Sequence, residues 1–178
     1  AIVEATARLA AKMPGLLTIV APRHVVDGRP LADLFRAEGM SVALRSEDEE
    51  IDVGTNVYIS DTIGEMGIWY RIAPVSFIGH SLPPEGVALG GKNPFEAAAL
   101  GSAIVHGPAL DDFVGTYEAL TQAGAARAVS DAADLAAAVE TLMSEEARAS
   151  MVAAAYRVIA EGQAVLDATW LAIREARP

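Results

Sequence analysis

Three short stretches bring together the residue types that hold an activated phosphate and a sugar. In Ala21-Pro22-Arg23-His24 two potential cations follow a proline that stiffens the chain. A guanidinium grips a phosphate or carboxylate through two parallel hydrogen bonds. In Ser60-Asp61-Thr62-Ile63-Gly64-Glu65, Asp61 or Thr62 can cap a helix. Free backbone N–H groups at Ile63, Gly64 and Glu65 then make an anion site. Gly90-Gly91-Lys92-Asn93-Pro94-Phe95-Glu96 sets two glycines ahead of a helix start, which lets a phosphate approach the backbone. Lys92 adds charge and Asn93 can cap the helix. Glu96 stands about one turn in, where a carboxylate can accept hydrogen bonds from two ribose hydroxyls.

Each stretch also has a plainer reading. Arg23 can pair with one of the 24 acidic residues at the surface. Ile63 to Glu65 can be an ordinary capped helix start, and Glu96 a first-turn carboxylate favoured by the helix dipole. The GxxxxGK[ST] spacing of a P-loop is absent, and no GxGxxG follows the first strand, which argues against a nicotinamide dehydrogenase. The pair Asp111-Asp112 reads as a cap for a helix beginning near Phe113 rather than as metal ligands.

The elements that must position these loops alternate along the chain. Short apolar runs at 16–20, 41–44, 56–59, 75–78, 103–106 and 125–129 are expected strands. Helices are expected at 29–38, with Leu31, Leu34 and Phe35 on one face and Gly39 as its stop, and at 62–73. Further helices are expected from Pro94 to Gly101, at 112–123, and at 131–143 capped by Ser130. From Ser144 to Arg177 the chain reads as helical, broken near Gly162. Strands alternating with helices imply parallel pairing, because parallel neighbours need a crossover. The expectation is an α/β fold: a Rossmann-like doubly wound sheet of about six strands, helices on both faces, in a single domain over 1–178. Ligands in such sheets sit beyond the carboxyl ends of the strands, where all three stretches fall.

Composition narrows the functions. The chain has 178 residues, 52% hydrophobic and 21% charged, with 13 basic and 24 acidic residues for a net charge of −11. That apolar content excludes disorder as the main state. The acidic balance argues against nucleic-acid binding by charge. With no cysteine, a disulfide scaffold, a thiolate zinc site and a cysteine nucleophile are excluded. Three histidines supply a metal site poorly, so no metal cofactor is expected. No apolar run reaches the roughly 18 residues that cross a bilayer.

In order along the chain stand PRH after the first strand, SDTIGEMGIWY after the third, FIGHSL at the fourth and GGKNPFEAAALG before the fifth. This series resembles the C-terminal half of the Kdo transferases, the 3-deoxy-D-manno-octulosonic acid transferases, over roughly residues 16 to 175. The resemblance implies the C-terminal half of a GT-B glycosyltransferase, the half that holds the donor CMP-Kdo. It implies transfer of Kdo to a lipid A precursor in lipopolysaccharide biosynthesis, with inversion at the sugar carbon and no catalytic metal. Carried over by motif, Arg23, with His24 beside it, contacts the phosphate or the sugar carboxylate. Ile63, Gly64 and Glu65 hold the nucleotide through backbone. Gly90, Gly91, Lys92, Asn93 and Glu96 bind phosphate and ribose. The family usually has His at Lys92, Met at Ile63 and Pro at Ala97, and the loop Ser81–Leu89 looks longer or more apolar than usual.

The chain opens at Ala1 directly in a helix, as a fragment of a longer protein would. The resemblance places the general base, most of the acceptor site and the membrane contact in an N-terminal half. No catalytic residue is therefore expected in this chain, which should bind CMP weakly without turnover. The full-length protein is expected at the cytoplasmic face of the bacterial inner membrane, with this part soluble. Two other readings share the scaffold: another GT-B nucleotide-sugar enzyme, using a UDP-sugar or acting as an epimerase, and a non-catalytic nucleotide-binding module.

Overall fold

The computed structural model describes residues 1–82, 87 and 90–175. Helix α1 (Ile2–Lys12) leads into β1 (Thr18–Val20), which ends at the Ala21-Pro22 turn. A 3-10 turn carries the chain into α2 (Gly28–Ala37), then β2 (Val42–Leu44), a second 3-10 turn and β3 (Val57–Ile59). Helix α3 (Met66–Ile72), β4 (Val75–Ile78), α4 (Phe95–Ala99) and β5 (Ala103–His106) follow. After a 3-10 turn at Asp111–Phe113 come α5 (Val114–Gln122), β6 (Ala126–Ala128), α6 (Ala132–Leu142) and α7 (Glu145–Glu175). Among the described residues no helix is long and apolar enough to cross a membrane.

All strand pairs are parallel, as the alternation requires. The six strands, however, form two three-stranded sheets rather than one ladder, in the orders β2-β3-β1 and β4-β5-β6. Edge strands β1 and β4 face each other across a cleft that both line. Pro22 stands just past β1 and Pro74 just before β4, so each facing edge has at one end a residue with no N–H to donate. Helix α1 holds the sheets together, since Ile2 packs against the cores of both.

The helices cover both faces. In β5, Ile104 faces the core built with α4, α5 and α7, while Ala103 and Val105 face the one built with α1 and α6. This is the side-to-side alternation of a strand buried on both faces. On the other sheet, Val57 and Ile59 pack with Ala32 and Phe35 of α2, and Tyr58 turns the opposite way, its ring 5.7 Å from Trp69 of α3.

Several expected boundaries move. Helix α3 starts at Met66, because Glu65 rather than Asp61 or Thr62 takes the cap position, and α4 stops at Ala99. Leu34 points to solvent, 56% exposed; the buried face of α2 is Gly28, Ala32 and Phe35, one residue around from the expected stripe. The cap of α6 is Asp131, whose carboxylate accepts from Asp134 N at 2.8 Å. Ser130 instead donates its own N–H to the Asp134 carboxylate at 3.0 Å. Helix α7 runs 31 residues without a break at Gly162. A lone glycine costs a helix only about 1 kcal/mol.

The exits of β4 and β5 are tied together by Ser81, which is fully buried. Its hydroxyl donates to Ile78 O at 2.5 Å and accepts from Gly107 N at 2.8 Å. A Cβ on Gly107 would stand 2.0 Å from Ser81 O, a backbone atom that cannot step aside. Gly107→Ala is therefore expected to destabilise the fold at the upper end of the about 1–3 kcal/mol typical of overpacking, read by urea unfolding.

Candidate functional site

The cleft between β1 and β4 has a volume of about 790 Å3. It lies at the point where the winding of the sheet reverses, since β1 leads off to one side and β4 to the other. Along its floor it is apolar, with Leu9, Ile19, Val75 and Phe77 among its walls. Its carboxyl-end mouth is polar, lined by Arg23, His80, Lys92, Asn93 and Glu96. An apolar pocket with a few convergent polar groups is the usual form of a small-molecule site.

The mouth is cationic. Arg23 and His24, both exposed, leave β1, and Lys92 comes from the turn before α4. Their charges converge on His80, at the exit of β4. Burial first, then Lys92, Arg23 and His24, hold its imidazole below the ordinary range. Glu96 is exposed in the first turn of α4, and its charge adds to burial in pushing the Tyr70 phenol up.

The turn before α4 is built from below. A Cβ on Gly90 would meet the Asp111 carboxylate at 2.9 Å, and one on Gly91 would meet the Leu110 backbone at 3.0 Å. Gly91 is thus required by close packing against backbone, whatever it offers a ligand, whereas the Asp111 carboxylate beside Gly90 can swing aside. The hydroxyl of Tyr117 donates to Lys92 O at 2.7 Å. Burial pushes that phenol far up, so it stays a donor. Its ring lies 4.4 Å from His106, whose Nδ1 donates to Gly107 O at 2.8 Å. Asn93 Oδ1 accepts from Phe95 N at 2.9 Å, although the cap position of α4 is Pro94, so Asn93 closes the turn ahead of the helix. Most of the loop Ser81–Leu89 (83–86, 88 and 89) lies outside the described residues.

The third stretch stands at the same end of the sheet but is differently committed. Met66, Trp69 and Tyr70 of α3 line the cleft; Ile63, Gly64 and Glu65 precede that helix and do not. Gly64 takes a φ of +98°, open only to glycine, and Ile63 is 91% exposed. The Glu65 carboxylate accepts from Thr62 Oγ1 and from Arg45 Nε at 3.2 Å. The Thr62 hydrogen bond, then Arg45, hold Glu65 below the usual carboxylate range against the opposing effect of burial. Asp61 is no helix cap: buried, it accepts from Ser46 N at 2.9 Å and Ser46 Oγ at 2.7 Å, pinning β3 to the turn after β2. Asp111 and Asp112 lie in a 3-10 turn ahead of α5, which begins at Val114. Among the described residues no three His, Asp or Glu side chains gather as metal ligands would.

The structure therefore brings Arg23, His24, Lys92, Asn93 and Glu96 to one mouth, with Gly90 and Gly91 beneath it and Ile63 to Glu65 on the neighbouring loop. Sequence reasoning left out His80, Ser81 and Tyr117. The first two stood in view, as Gly79-His80-Ser81 directly after an apolar strand; nothing local marks Tyr117.

No family model matches the chain. It is 38% identical over 134 residues to the probable mitochondrial 3-deoxy-D-manno-octulosonic acid transferase of Arabidopsis thaliana, covering 74% of this chain and 29% of that protein. It is 33% identical over 161 residues to the 3-deoxy-D-manno-octulosonic acid transferase of Haemophilus influenzae, covering 89% of this chain and 37% of that protein. The chain thus spans less than two fifths of the length of either relative. Its fold matches the crystal structure of the C-terminal CMP-Kdo binding domain of WaaA from Acinetobacter baumannii. The TM-score there is 0.82 at 28% identity, covering 89% of this chain and 81% of that domain.

Tyr117→Phe keeps the packing and leaves the Lys92 carbonyl without its donor. It is expected to cost about 1–2 kcal/mol in urea unfolding.

Proposed function

We infer that this chain, a homologue of the 3-deoxy-D-manno-octulosonic acid transferases over their C-terminal part, is the donor-binding half of a GT-B glycosyltransferase and holds CMP-Kdo. The observation that carries the reading is the convergence of Arg23, His24 and Lys92 on the mouth of the β1/β4 cleft, with Glu96 in the same lining. CMP-Kdo suits such a mouth. Its phosphodiester and sugar carboxylate are both anionic, and its ribose presents two hydroxyls to a carboxylate.

In the whole enzyme, a hydroxyl of a lipid A precursor attacks the anomeric carbon of Kdo. The bond from that carbon to the phosphate oxygen breaks, and CMP leaves with the bonding pair. Negative charge grows on the leaving phosphate, so fixed cations aimed at it stabilise the transition state more than the bound donor. Arg23 and Lys92 supply those cations. No metal is needed for that neutralisation. Glu96 fixes the ribose. The general base, the acceptor site and the contact with the cytoplasmic face of the inner membrane belong to the remainder of the protein.

Isothermal titration of this chain should show CMP binding more tightly than UDP. A preference for UDP would move the chain to another nucleotide-sugar enzyme. In the full-length enzyme, Arg23→Ala and Glu96→Ala are each expected to lower kcat/KM, Arg23→Ala by on the order of a hundredfold, with unfolding midpoints unchanged. Normal turnover in either variant removes that residue from the site.

A further inference from the structure

His80 occupies a position that few side chains accept. Its φ is +64°, in the left-handed region. The residue that follows it is fixed. The Ser81 hydroxyl closes the turn onto Ile78 O at 2.5 Å, and Ser81 O accepts from Ala109 N at 2.9 Å. Backbone held in a sparsely populated region persists only where its surroundings over-determine it, and such sites cluster where ligands are clamped. Here the strain brings an imidazole into the lining of the cleft, beside Arg23, Lys92, Asn93 and Glu96. Among the described residues the ring has no hydrogen-bond partner, so both nitrogens remain for a ligand.

The charged groups around it come from every wall of the mouth. Arg23 and His24 stand on the exit of β1, Lys92 on the turn before α4, and Glu96 on α4 itself. Burial first, then Lys92, Arg23 and His24, disfavour the protonated form of the ring. An anion entering the mouth reverses this balance, because its charge offsets the cations and offers an acceptor to a protonated ring.

We propose that His80 takes up a proton when the nucleotide phosphate enters the cleft, making it a proton-linked contact to the donor. The proposal rests on the donor-site reading above and adds to it a residue and a pH dependence. The sign follows from the cycle. The ring binds a proton more tightly in the complex than in the empty site. Affinity is therefore highest below the empty-site value, falls as pH rises, and levels off above the value in the complex.

The test is titration of CMP into this chain and into His80→Asn from about pH 5.5 to about pH 8.5. Asn tolerates the left-handed backbone and cannot be protonated. His80→Gly, which has no φ penalty, is the second variant if Asn disturbs the fold. The CMP phosphate itself titrates near pH 6, but identically in both titrations, so the ratio of affinities isolates the imidazole. Wild type is expected to bind about tenfold tighter than His80→Asn at the acid end, the ratio approaching one at the alkaline end. Titrations in buffers of different ionisation enthalpy should show an added fraction of a proton taken up by wild type. A ratio that stays flat with pH, or a variant that binds more tightly in acid, overturns the role of His80 while leaving the donor site standing. Failure of both proteins to bind CMP at any pH overturns the two together.

Discussion

Ser81 fastens two strand exits to each other, and the shape of the cleft mouth follows from that tie. Parallel strands deliver their loops to one edge of a sheet, but a loop can hold a ligand only if its departure point is fixed. The Ser81 hydroxyl uses both of its capacities at once, donating to Ile78 O and accepting from Gly107 N. Each bond contributes about 1 kcal/mol net, and breaking either leaves a buried group unpaired at larger cost. Because β4 turns so abruptly there, His80 is turned into the mouth and Gly107 has no room for a side chain.

The second determinant is the separation of β1 from β4. In a continuous sheet a ligand meets only the ends of these two strands. Here the strands part, and the cleft runs down between them to α1 and α6. Its volume falls within the range of small-molecule pockets. The charged groups sit at its mouth, while Leu9, Ile19, Val75 and Phe77 line the part below. Three short hydrogen-bonded and packed supports hold the rim: Ser81 under His80, Tyr117 under Lys92, and Asn93 at the start of α4.

The distribution of charge sets this mouth apart from the rest of the surface. The chain carries eleven more acidic than basic residues, yet Arg23, His24 and Lys92 act on one imidazole. A local positive field within an acidic surface draws a small anion to one place and repels polyanions elsewhere. Arg45 is differently employed. It pairs with Glu65 and Asp48, and so fixes the loop after β3 rather than meeting a ligand.

Much of this was legible along the chain. All six strands fall within the runs where short apolar segments predict them, because burial on both faces demands uninterrupted Val, Ile and Ala. The motifs around Arg23, Gly64 and Glu96 fall at the carboxyl ends of the strands, as expected, since a loop after a parallel strand has nowhere else to go. Periodicity could not fix which side of α2 faced inward at Leu34, where two registers differ by one residue. Nor could it show that Asp61 is spent on Ser46, that Gly91 is needed for the Leu110 backbone, or that Tyr117 reaches Lys92 across 25 positions. Local chemistry determined the order of elements and the charged groups that gather at one edge, because those depend on residue type and spacing. The parting of β1 from β4 and the turning of His80 into the gap were decided by contacts between segments far apart in the chain, which no stretch of sequence contains.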